Sequence, residues 1–307
     1  MDEFVRDNLG YHYTSIQTIM KIIDDADDEY IKFHASSVFS LNDPSEMMFG
    51  YKEIMRLLPK IEKELNITDP LYKLSAMWEK DRRLDKYQWH DFHLQQMNNS
   101  FQHAFSISFS RCRDTLPMWG MYGGQGGGVA LALDLRIYYM ERMTDEGERL
   151  LDITHVGKDQ FRAIDLEYDT ISHLSTPYML AKAEYYDYWN ATRTISDGTE
   201  IAKMQVGAMT NIMNISAPLI KNKAYSYEKE SRIVVPKVNL GAIKFKMNPT
   251  GCLIPYVEVN LPTSSLKEII VGPCNDFSLI KKCIELRLMQ KNINGVEIVS
   301  SNIPYRQ

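Results

Sequence analysis

Cysteine is scarce and scattered. Cys112, Cys252, Cys274 and Cys283 are the only four in 307 residues, and none forms the CxxC pair that zinc ribbons and redox centres use. No apolar run approaches the roughly 20 residues that a membrane-crossing helix needs. The opening MDEFVRDNLG has neither the basic nor the apolar region of a secretory signal. These absences lead us to expect a cytoplasmic protein with reduced thiols and no membrane contact. Lysine and arginine form no long run either. Their 35 side chains against 40 aspartates and glutamates leave a net charge of −5, so overall charge gives nucleic-acid binding no support. Glycine clusters only at Gly123-Gly124-Gln125-Gly126-Gly127-Gly128. A phosphate-cradling loop follows a strand and opens a helix, whereas this run precedes the apolar stretch Val129 to Leu133. It reads as a turn whose backbone can approach a ligand or a neighbouring strand.

With 44% hydrophobic and 24% charged residues, the chain has the composition of an ordinary globular protein. Its length allows one large domain or two. The expectation is one domain over residues 1–307, carrying helical insertions at about 47–102 and 176–220. Strands are expected at Leu9 to Thr14, Ile31 to Phe39, Phe105 to Phe109, Val129 to Leu133, Leu253 to Leu261, Lys267 to Val271 and Val296 to Ser300, where β-branched and aromatic residues alternate or cluster. A further strand is expected near His155 or at Ala163 to Tyr168. Helical spacing predicts helices after Ser15, over Tyr51 to Leu65, Lys73 to Asn99, Leu116 to Tyr122, Tyr178 to Thr192, Glu200 to Ile215 and Phe277 to Met289. The expected class is α+β, a mixed or antiparallel sheet with large helical insertions.

One stretch concentrates charge on an expected strand: Tyr225-Ser226-Tyr227-Glu228-Lys229-Glu230-Ser231-Arg232-Ile233-Val234-Val235. Alternate side chains share a face, so Glu228, Glu230 and Arg232 are expected to point together. That face is either a solvated edge or a site. Asn42-Asp43-Pro44-Ser45-Glu46 is a turn signature; Asp43 and Glu46 either cap the following helix or border a cleft. His90 and His93 lie at helical spacing without a third ligand, so they read as a surface pair and no metal is predicted.

The order Tyr11-His12-Tyr13-Thr14-Ser15, Leu41-Asn42-Asp43-Pro44-Ser45-Glu46, Ser108-Phe109-Ser110, Met118-Trp119-Gly120-Met121-Tyr122, Tyr227-Glu228-Lys229-Glu230-Ser231-Arg232 and Glu268-Ile269-Ile270-Val271-Gly272-Pro273 resembles the bacterial family called domain of unknown function 2971. A more distant resemblance is to the ADP-ribosyltransferase fold: a strand with His-x-Thr before a helix, a middle strand with hydroxyl or aromatic residues, and a late strand with a glutamate. That resemblance implies NAD as substrate, with His12 and Thr14 on its adenosine side, Tyr13 among the other nucleotide contacts, and His12 also a candidate for the catalytic set. It also implies a stacking aromatic among Phe109, Trp119 and Tyr122, and a ribose-holding carboxylate at Glu230 or Glu228. Ser108, Ser110 and Arg232 complete the expected nucleotide contacts, and Asn42, Asp43, Glu46 and Lys223 are expected around the cleft.

Breaking the nicotinamide–ribose bond passes through an oxocarbenium-like state, which a carboxylate at the ribose stabilises. The leading expectation is therefore an ADP-ribosyltransferase or NAD glycohydrolase, a toxin-like or anti-phage effector whose acceptor is a protein or a nucleic acid. The alternatives are an inactive nucleotide-binding sensor and a Mg²⁺-dependent nuclease built on Asp43, Glu46, Glu228 and Glu230. Glu230→Gln is expected to abolish turnover with little loss of stability, unless Arg232 is its buried partner.

Overall fold

A computed structural model describes residues 8–40, 45–76, 104–135, 140–143, 149–152, 163–235, 238, 240–247 and 251–304. Asn42, Asp43, His90, His93, His155 and most of the expected Lys73 to Asn99 helix lie outside the described residues. The architecture is α+β around a mixed sheet.

The sheet is organised by β3 (Phe105–Ser110), whose sequence FSISFS alternates strictly. One edge of β3 pairs along its whole length with β10 (Glu230–Val235), from Glu230↔Ser110 to Val235↔Phe105. The other edge is shared. β2 (Tyr30–Ser37) pairs with the first two residues of β3, and β1 (Leu9–Thr14) pairs with it only at Tyr11↔Ser110. The sheet therefore forks. One arm runs from β2 to β12 (Leu253–Pro262) and β11 (Lys244–Met247). The other runs from β1 to β4 (Val129–Asp134), β13 (Leu266–Val271) and β14 (Glu297–Ser300). All pairings in this sheet are antiparallel except β13 with β14, which are joined by a crossover helix as a parallel pair requires. β5 (Met140–Met143) and β6 (Arg149–Asp152) pair with each other in a separate two-stranded sheet. The short β7 (Ala163–Asp165) pairs with β10 on the side away from β3, so β10 is an interior strand and not the exposed edge that its charges allowed.

Alternation assigns the two faces. Phe105, Ile107, Phe109 and Ile233 join a core closed by α1 (Ile16–Asp24) and α6 (Phe277–Gln290). The opposite face carries Ser106, Ser108 and Ser110 beside Glu230, Arg232 and Val234, as the register dictates. Over it lie α2 (Glu46–Glu64), α4 (Thr176–Thr192) and α5 (Gly198–Ser216), which build a second core around Ile54, Leu58, Tyr185 and Ile212. The two expected helical insertions thus contribute to one layer. Each fully buried Ile or Leu there contributes roughly 1.5–3 kcal/mol. The short helix α3 (Leu116–Met121) covers β1 and β4 on the same side, with Met118 and Trp119 against Tyr11 and Tyr13. A cleft remains between α3 and the layer led by α2.

Gly50 lets that layer close. A β-carbon there would stand 2.3 Å from the Ala217 carbonyl oxygen, so only glycine lets α2 press against the Ala217–Leu219 turn. The glycine-rich turn after α3 is likewise tied to backbone, not to a helix start. The Gly272 N–H donates to the Gly128 oxygen and the Cys274 N–H to the Gly126 oxygen, and a β-carbon on Gly128 would lie 2.1 Å from the Thr14 oxygen.

Candidate functional site

β10 does not begin where the charge pattern suggested. Lys223–Glu228 forms a 3₁₀ turn, with the Asn222 side chain accepting from the Ala224 N–H. Lys229 then takes a left-handed conformation with φ of 42° before the strand starts at Glu230. Glu228 is therefore off the strand, and the shared-face argument that linked it to Glu230 fails. The three residues nevertheless converge, because the turn folds back over the end of β3. Ser110 Oγ donates to the Glu228 carbonyl at 2.6 Å and the Arg111 N–H to the Lys229 carbonyl at 2.9 Å.

At the centre lies a buried cluster of five charges. Arg232, 1% exposed, grips Glu230 with two parallel bonds, Nε to Oε1 at 2.6 Å and Nη2 to Oε2 at 3.0 Å. Its Nη1 donates to Glu46 Oε1 and, at 2.8 Å, to the Pro218 carbonyl. Lys221, in the two-residue strand β9 (Ile220–Lys221) beside β8 (Glu167–Tyr168), supplies the second cation. Its Nζ lies 2.7 Å from Glu228 Oε2, 2.8 Å from Glu230 Oε2 and 3.5 Å from Glu46 Oε2. Tyr122 Oη donates to the other Glu228 oxygen at 2.9 Å. The Tyr168 hydroxyl accepts from the Glu230 N–H at 2.8 Å.

These contacts fix protonation. Burial pushes the Glu230 carboxyl up, but Arg232 and then Lys221 outweigh it and bring the group to about 2. Burial works against the charged form of Arg232 and of Lys221, and the carboxylates around them win in both cases, so both titrate above their ordinary values. Burial and then Glu228 push the Tyr122 hydroxyl upward, which keeps it a donor.

The cluster lines a cavity of about 280 Å³ with Tyr11, His12, Tyr13, Phe109, Tyr122 and Tyr225 among its walls. That volume is near the lower end of small-molecule pockets, roughly 300–1,000 Å³, and suits one nucleoside-sized group. His12 sits in the fork. Where β1 and β3 part, its Nδ1 bonds the Ser108 carbonyl at 3.0 Å, in place of a ladder hydrogen bond, and its ring lies edge-on to Phe33 and Phe109. A carbonyl only accepts, so Nδ1 carries the hydrogen. Burial lowers the His12 pKa, the Ser108 bond opposes this and Lys246 adds to it. The ring is neutral, with Nε2 an acceptor.

Several expected site residues are thus brought together: His12, Tyr13, Glu46, Ser108, Ser110, Tyr122, Glu228, Glu230 and Arg232 all line this cavity. Glu46 is the first residue of α2 and points to Arg232 and Lys221, so it does not serve as a capping-box residue. Others fall elsewhere. Trp119 is fully buried, donates from Nε1 to Asp114 at 2.6 Å and stands edge-on to Tyr13, which makes it core and not a stacking surface. Thr14, at the far end of β1 beside Val129, does not line the cavity. Lys223 is exposed on the 3₁₀ turn. Lys221, two residues earlier, holds the cleft position that sequence reasoning gave to Lys223. One signal pointed to it: three glutamates facing one arginine need a second buried cation. Tyr225, Met118 and Met121 also line the cavity without having been singled out for it.

Fold and cleft together define an α+β protein with an aromatic-walled pocket floored by a buried carboxylate–guanidinium–ammonium cluster. Residues 118–233 match the family described as Protein of unknown function (DUF2971). The matched stretch includes Tyr122, Lys221, Glu228, Glu230 and Arg232, while His12 and Glu46 precede it. No curated protein and no solved structure matches the chain. Among the described residues no helix is long and apolar enough to cross a membrane.

Proposed function

We propose that the cavity binds the nicotinamide–ribose end of NAD and that the protein cleaves the bond between them, as a glycohydrolase or an ADP-ribosyltransferase. The observation that carries this reading is Glu228: it lines an aromatic-walled cavity, and its two oxygens are oriented by Tyr122 and Lys221. Glu230 is gripped by Arg232 on one side and Lys221 on the other, so it belongs to the frame that holds Lys221 and Arg232 in place. Glu228 is then the carboxylate that meets the ribose. In the reaction the C1′–N bond breaks, nicotinamide leaves with the bonding pair, and the positive charge left on the ribose faces Glu228. Water or an acceptor nucleophile closes the new bond to C1′ and gives up its proton to solvent. Tyr122, close to Glu228, is the aromatic best placed to lie along the nicotinamide. The rest of the dinucleotide extends from the mouth, since the cavity suits only one nucleoside-sized group.

A second reading is favoured by a specific observation. All three carboxylates already have partners within the protein, which suits a nucleotide-binding sensor that does no chemistry. A metal-dependent nuclease has less support, because the Lys221 ammonium occupies the point on which Glu46, Glu228 and Glu230 converge. Incubation with NAD, with and without cell extract and with and without a chelator, separates the three. Release of free nicotinamide that is indifferent to chelator supports the enzyme. NAD binding without release supports the sensor, and chelator-sensitive cleavage of nucleic acid supports the nuclease.

A further inference from the structure

Among the residues lining the cavity, the charged side chains are Glu46, Glu228, Glu230, Lys221 and Arg232. Burial holds His12 towards its neutral form. By formal charge, three carboxylates face two cations, one negative charge in excess. Such a charge is costly unless something compensates it.

Each carboxylate oxygen already has a protein partner. Those of Glu228 accept from Tyr122 and Lys221, those of Glu230 from Arg232 and Lys221, and those of Glu46 face Arg232 and Lys221. Each carboxylate oxygen can still accept a second bond, but a compact ammonium is strongly hydrated and would exchange its water for walls rich in aromatic rings. A cation with its charge spread over a ring is weakly hydrated and gives up less. It requires the field and an aromatic face, and both are present. Tyr11, Tyr13, Tyr122 and Tyr225 line the space, and ring faces attract cations. Lys221 Nζ already stands 4.9 Å from the Tyr225 ring centre. Phosphate meets the reverse conditions, because Lys221 and Arg232 are both engaged by carboxylates.

We infer that the cavity selects a group bearing a permanent, delocalised positive charge, of the N-alkylpyridinium class, and turns phosphate away. This rests on the reading of the cavity as the site of the nicotinamide–ribose end, to which it adds selection by charge.

The test is calorimetric titration of the full chain with three probes: the N-methylnicotinamide cation, neutral nicotinamide and AMP. The first two share ring and amide and differ in charge. The cation is expected to bind about tenfold more tightly than nicotinamide or better, about 1.4 kcal/mol, and AMP is expected not to displace it. In Glu228→Gln, checked for native circular dichroism, the ratio should fall towards one. Three results each overturn the inference: nicotinamide binding as tightly as the cation, as it would if a proton on a carboxylate supplied the compensation; displacement by AMP; or no binding of the cation at millimolar concentration. NAD turnover is measured separately. Cation preference without turnover removes the enzyme and leaves the inference, and turnover without cation preference does the opposite.

Discussion

Arg232→Met removes the guanidinium that joins two of the three buried carboxylates. The wild-type side chain makes two bonds to Glu230, one to Glu46 and one to the Pro218 carbonyl. Methionine fills comparable space but supplies no donor. Lys221 alone must then face Glu46, Glu228 and Glu230, all within 3.5 Å of its Nζ. Breaking a buried ion pair by deleting one partner costs about 3–5 kcal/mol, a large share of the roughly 5–15 kcal/mol by which domains are stable. The loss comes from stranded carboxylates, so removing one of them as well should restore part of it. Urea denaturation at pH 7 is expected to place Arg232→Met about 3–5 kcal/mol below wild type, and Arg232→Met/Glu230→Met above that single variant. The coupling in the double-mutant cycle should exceed about 1 kcal/mol. A single variant within about 1 kcal/mol of wild type, or a double variant that loses the full sum of both singles, refutes the argument that the cluster is mutually compensating.

Acid sensitivity follows from the same cluster. Glu230 titrates near 2 when folded against an ordinary 4.5, so its contribution, up to about 3 kcal/mol, is fully present above about pH 4.5 and is lost as pH falls through 2. Urea midpoints between pH 2 and 6 should show that decline in wild type and a flatter curve in Glu230→Gln, which also leaves Arg232 and Lys221 without Glu230's charge and costs about 1–3 kcal/mol. For His12, whose folded pKa is depressed, binding of a cavity ligand should not vary with pH from 6.5 to 8 through this group; a titration in that range, compared with His12→Asn, checks it. Trp119→Phe deletes the bond to Asp114 and core packing, so it should lower the melting temperature while leaving ligand affinity within about twofold. Tyr122→Phe, which frees one Glu228 oxygen, should do the reverse.

The fold was legible where pattern and burial agree. FSISFS, VALAL and KEIIV alternate or run apolar as interior strands do, and each observed strand lies within a residue of its expected range. β11 was missed because Lys244, Phe245 and Met247 are exposed on an edge strand, and exposure erases the periodic signal. In the site, the residue types Glu228, Glu230 and Arg232 were legible, but the geometry was not. A left-handed Lys229 carries no sequence mark of the kind that glycine or asparagine would give, so the sequence pattern runs the strand back to Tyr225, five residues before its observed start at Glu230. Trp119 shows the opposite limit: a tryptophan beside a tyrosine reads equally as stacking surface or core, and only Asp114, five residues earlier, decides it. Lys221 and Lys223 differ in sequence only by position. Which of them is buried depends on the pairing of β9 with β8, a contact between segments more than fifty residues apart.

The central claim is that Glu228 faces a ribose from which nicotinamide departs, and its most direct test is nicotinamide release from NAD by wild-type and Glu228→Gln protein of verified fold. The account predicts release by the wild type and a loss of about a hundredfold or more in the variant, falling on turnover and not on NAD affinity. Equal release by both proteins, or NAD bound by the wild type and recovered intact, contradicts it.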